Sequence, residues 1–90
     1  MLPEDQKRTY DAFFKSTAEN DILDPQTTTL IQLATSFALG CYPCMDHFLG
    51  VAREKGLTDE QIGAVQSIVM AISAGRIRAE FREVRENTVK

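Results

Sequence analysis

Cys41-Tyr42-Pro43-Cys44-Met45-Asp46-His47 gathers both cysteines and the only histidine of a 90-residue chain into seven consecutive positions. A dithiol spaced to close a small disulfide, with an imidazole beside it, is equipment for thiol redox chemistry. The thiolate is the reactive form, and a neighbouring base or cation makes it available near neutral pH. One thiolate attacks the distal oxygen of a hydroperoxide or the sulfur of a disulfide. The second thiol resolves the product to a Cys41–Cys44 disulfide, which an external dithiol donor then reduces. A helix end would favour Cys41 as the attacking sulfur and His47 would favour Cys44; of the two, Cys44 is the expected attacker.

Other uses of these residues fit less well. Structural zinc takes four ligands, whereas this segment offers three soft donors, with Asp46 directed off the Cys44/His47 face. Covalent haem attachment needs His directly after the second Cys, where Met45 stands, and an iron–sulfur cluster needs more cysteines. No metal and no cofactor is therefore expected. Two inert buried thiols with a surface His remain the plainest alternative.

Helices must position these groups, because apolar residues recur at helical spacing and neither alternating β-branched runs nor Asn-Gly or Asp-Gly hairpin signals occur. The first helix is predicted from Pro3, carrying Tyr10, Phe13, Phe14 and Thr17, and Asn20-Asp21 breaks it. Asp24 as N-cap and Pro25 at the first helical position open the second, with a Leu30, Ile31, Leu33, Ala34, Phe37, Ala38 stripe and an end at Gly40. The third begins around Cys41 to Pro43, carries Met45, Phe48, Leu49 and Ala52, and stops at Gly56. Thr58 and Gln61 form a capping-box pattern for the fourth, whose core face is Ile62, Val65, Ile68, Val69 and Ile72. Gly75 is read as a break or bend before a charged helix with Ile77, Phe81 and Val84 on one side. The prediction is an all-α bundle of four or five helices in one domain, residues 1–90.

In such a bundle both cysteines occupy the first turn of the third helix, where unpaired N–H groups and the positive end of the helix dipole stabilise an anion. His47 lies one turn beyond Cys44.

Composition bounds the function classes. Ten basic against 13 acidic residues give a net charge of −3, which argues against nucleic acid as the main partner. Arg76, Arg78, Arg82 and Arg85 lie among Glu80, Glu83 and Glu86 and read as a self-paired, solvated face. The N-terminus lacks a secretory pattern, and the uncharged stretch Pro25–Met45 holds too many polar residues to span a membrane. A cytoplasmic protein is expected, a compartment in which a close Cys pair is more often catalytic than a staple. With 43% hydrophobic residues and wide apolar helix faces on a small chain, homo-oligomerisation is expected too.

The sequence resembles the AhpD-like, carboxymuconolactone decarboxylase-like family. The residues that carry the likeness are Leu23-Asp24-Pro25, Leu30-Ile31-Gln32-Leu33-Ala34, Gly40-Cys41-Tyr42-Pro43-Cys44, His47, the stretch from Ala52 to Ile62 and the segment Ala71 to Gly75. The resemblance implies an all-helical fold, trimers or hexamers among small members, and alkyl hydroperoxide reduction by the Cys pair with a thiol donor. The decarboxylase branch lacks the dithiol, and its activity is not carried over. Two departures stand out. The family's peroxidase branch usually has Glu where this chain has Thr29, and His where it has Phe48; His47 is one residue early, a turn of about 100° around the helix. The expected function is a thiol-dependent oxidoreductase of alkylhydroperoxidase type using Cys41, Cys44 and His47. The alternative is an oligomeric binding or structural module that has lost the proton relay.

Overall fold

The structure, a computed structural model, describes residues 1–89. Four helices succeed one another, α1 (Glu4–Ala18), α2 (Pro25–Leu39), α3 (Tyr42–Glu54) and α4 (Asp59–Val89), and no strand forms among the described residues. The all-α prediction holds, with four helices rather than five.

The boundaries are set by local chemistry. Asp24 caps α2: its carboxylate accepts from the Thr27 amide at 2.9 Å and from the Thr27 hydroxyl at 2.6 Å. These bonds hold the Asp24 carboxyl below its ordinary pKa of 3.8, the Thr27 side chain contributing most. At the start of α4 the capping box is complete. Gln61 donates its amide to the Thr58 hydroxyl at 3.1 Å, and its side-chain oxygen accepts from the Thr58 amide at 2.8 Å.

α2 and α3 both end at a left-handed glycine, Gly40 with φ +67° and Gly56 with φ +80°. Each turn satisfies two carbonyls of the last helical turn. Cys41 and Gly40 amides donate to Ser36 and Phe37, and Leu57 and Gly56 amides donate to Ala52 and Arg53. Both are Schellman endings.

The expected break at Gly75 does not occur: α4 runs through it without interruption for 31 residues. A glycine inside a helix costs only about 1 kcal/mol relative to alanine. Here it lies among the good helix formers Ala71, Ala74, Arg76 and Arg78, so the helix continues.

α2 packs along α3 and along α4. The core between them is small: Leu33, Phe48 and Val65, with Leu30, Ala34, Phe37, Leu49 and Ile62 packed around it. Ala52 and Leu57 are also buried, at the second turn. Gln26 at the start of α2 donates to the Lys55 carbonyl at the end of α3, at 2.9 Å.

The predicted apolar stripe of α1 is uncovered. No residue of α1 is buried, and Tyr10, Phe13 and Phe14 are among the exposed large side chains. The second half of α4 is equally bare at Ile77, Phe81 and Val84. The radius of gyration is 17.4 Å, against about 12 Å for a compact chain of this length.

Candidate functional site: the dithiol turn

The turn at Gly40 aims the chain so that Cys41 becomes the N-cap of α3, in extended conformation, with Tyr42 and Pro43 opening the helix. The Met45 amide donates to the Cys41 carbonyl at 2.9 Å, the first bond of α3. Cys44 thus falls in the first turn, and the two α-carbons lie 5.2 Å apart with the sulfurs joined as a disulfide. The predicted juxtaposition of the cysteines holds.

No side chain caps α3: Cys41 makes no capping hydrogen bond. The free amides of this turn and the helix dipole are therefore available to a thiolate once the bond is reduced. Such placement lowers a thiol pKa.

The disulfide forms part of the wall of an open cavity of about 350 Å³ between α1, α2 and the start of α3. α1 contributes Phe14 and Thr17, and α2 contributes Ile31, Gln32, Thr35 and Leu39, among others. Thr28 and Ser36 reach the same cavity but are nearly buried, and their hydroxyls are occupied. Asn20 donates to Thr28 at 3.1 Å, and Ser36 donates to the Gln32 carbonyl at 2.7 Å. Apart from the two sulfurs, the lining holds no titratable group.

Phe48 turns inward as its helical spacing predicts, whereas His47 lies away from the cavity. Phe48, 8% exposed, lines the cavity with both cysteines and also enters the core. His47 is exposed and outside the cavity lining, its ring meeting that of Phe48 edge-on with centroids 4.9 Å apart. Thr29, where the resemblance leads one to expect an acid, is 1% exposed, and its hydroxyl donates to the Pro25 carbonyl at 2.9 Å. That local bond uses its proton within α2.

Sequence reasoning passed over the α2 residues of the cavity. The signal was present: Thr28, Gln32, Thr35 and Ser36 form a polar stripe at i, i+4, i+7 and i+8, beside the apolar stripe that enters the core. Among the described residues no cluster of three or more His, Cys, Asp or Glu side chains is placed to hold a metal ion. No helix among them is long and apolar enough to cross a membrane.

The fold has a solved counterpart. A crystal structure of a protein from Methanobacterium thermoautotrophicum superposes with a TM-score of 0.84, at 23% identity, covering 92% of this chain and 94% of that one. That likeness concerns the fold alone. No curated protein matches the sequence. The carboxymuconolactone decarboxylase family matches over residues 4–86, nearly the whole chain, and the protein belongs to that family.

Proposed function

We propose that the protein is a thiol-dependent oxidoreductase that cycles Cys41 and Cys44 between dithiol and disulfide. The observation that carries this reading is the pairing of both sulfurs at an uncapped helix start that opens on a cavity. With a hydroperoxide as oxidant, the Cys44 thiolate attacks the distal oxygen and the O–O bond breaks. An alcohol leaves once its oxygen is protonated, and sulfur keeps the other oxygen as a sulfenic acid. Cys41 then attacks that sulfur, the S–S bond forms, and water departs with the remaining proton. Two electrons have passed from the dithiol to the peroxide. An external dithiol returns them by exchange.

His47, on the outer face of the same helix one turn beyond Cys44, is assigned the role of proton donor and acceptor. A reducing cytoplasmic compartment suits the cycle, and the bare faces of α1 and α4 suit a homo-oligomer, a trimer or hexamer as in small members of the family.

The test is hydroperoxide-dependent oxidation of a dithiol donor by the reduced protein. Turnover that disappears in Cys44→Ser supports the peroxidase; turnover equal to that variant removes it. A second reading has its own support: both relay positions hold residues without a titrating group, Thr29 and Phe48. On that reading the protein is a binding or structural module. Slow alkylation of both reduced thiols at pH 7, at the rate of an ordinary cysteine, would favour it.

A further inference from the structure

Among the described residues no element lies over the open side of the cavity beside the disulfide. α1 and α3 already form its walls, and α4 packs on the other side of α2, where Val65 meets Leu33 and where Val69, Ser73 and Ile77 adjoin Phe37. The rim is apolar and open: Ile31 is 49% exposed and Leu39 77%. The segment that builds this region, residues 16–52, contains four carboxylates and no Lys or Arg. Two of them, Glu19 and Asp21, flank Asn20 in the lining.

The outer half of α4 is the complement. Ile77, Phe81 and Val84 make an exposed ridge, and Arg78, Arg82 and Arg85 share a concavity with Ile77 and Phe81. The sequence suggested a self-paired face. Among the described residues of this half of α4 only Arg76 and Glu80 pair, at 3.6 Å, and Arg78 and Arg82 are like-charged neighbours four residues apart. The ridge spans about 10 Å, within the roughly 16 Å of α2 from Thr28 to Leu39.

Area points to the occupant. The chain exposes 7364 Å², whereas a compact monomer of 10.1 kDa exposes about 5,300 Å². The excess, about 2,000 Å² per chain, is what a subunit buries in an obligate oligomer.

We propose that the outer half of α4 from a second copy of this chain seats its Ile77–Phe81–Val84 ridge on the open rim of the disulfide cavity. Arg78, Arg82 and Arg85 then approach the acidic segment around Asn20, where Glu19 and Asp21 are its neighbours in sequence. The partner thereby brings charged groups to a cavity whose lining has no titratable group apart from its sulfurs, and it shields the disulfide from bulk water. The role in catalysis rests on the dithiol reading; the contact does not, and the test reads only the contact.

In a Cys41→Ser chain, Cys44 is the lone thiol. Adding Phe81→Cys and oxidising with diamide should give a disulfide-linked dimer, mapped by mass spectrometry to positions 44 and 81. The same background with Glu60→Cys, a surface position about 30 Å away along α4, should give at least tenfold less. Equal cross-linking from both positions overturns the proposal, as does a wild-type protein that remains at 10.1 kDa by light scattering at 100 μM. In native mass spectrometry the charge reversal Arg82→Glu should weaken assembly, and Asp21→Arg added to it should restore part of the loss. An Arg82→Glu protein that assembles as wild type also counts against the contact.

Discussion

The two interhelical turns at Gly40 and Gly56 have the same backbone form and differ in how the next helix begins. After Gly56 the chain enters α4 through Thr58 and Gln61, which satisfy each other's orphan amides. After Gly40 it enters α3 through Cys41, which caps nothing. One turn uses its hydrogen-bonding capacity for stability. The other leaves its amides available and places two sulfurs beside them. A helix start that looks under-capped beside a well-capped one in the same chain is therefore a pointer to chemistry.

The comparison breaks most visibly at the glycines. Gly40→Ala and Gly56→Ala should each cost about 1–2 kcal/mol, the penalty for an L-residue in left-handed conformation. A Cβ at either position meets no atom within 4 Å, so the backbone sets the cost at both. Thermal denaturation should show similar losses. Only Gly40→Ala should also change the rate at which a dithiol reduces the Cys41–Cys44 bond; equal redox behaviour in both would erase the distinction.

Next in size, Thr58→Ala should lose about 1 kcal/mol of stability in urea denaturation, as for other N-cap deletions. Cys41→Ser should do the reverse. Measured against the reduced wild type, a hydroxyl at that N-cap should add roughly 0.5 kcal/mol, because α3 lacks a cap. No gain would mean that the amides of α3 are already satisfied.

The smallest effect is electrostatic. Asp24 is held by Thr27 below its ordinary pKa of 3.8, so its carboxylate contributes stability in full above that value. The contribution is lost as pH falls through the lowered folded value. Asp24→Asn should flatten the acid limb of the stability curve below pH 3.8 and leave the neutral range nearly unchanged.

What was legible in the sequence was what local chemistry decides. Asp24-Pro25, Gly40, Gly56 and Thr58–Gln61 announce helix ends through bonds to residues three or four positions away, and each end falls where they place it. Gly75 misled because a glycine ends a helix only when the chain turns left-handed there, and the good helix formers around it keep α4 going. The stripe of α1 was legible as a stripe, but among the described residues nothing buries it. Phe48 enters the core as its helical spacing predicts, and His47, one residue earlier in helical phase, faces outward. Periodicity named Phe48 as an inward ring of α3 but not the cavity it also lines, which depends on how α1 and α2 lie beside it.

The bond from Gln26 to the Lys55 carbonyl has a bearing on the proposed redox cycle. It ties the α2–α3 hairpin at the end remote from the sulfurs, about 20 Å along α2. Cutting the sulfur link therefore leaves the two rods in register, moored at their far ends and glued along Leu33 and Phe48. On the proposed reading, the hairpin would gain and lose electrons repeatedly while the scaffold that aims its thiols stays assembled.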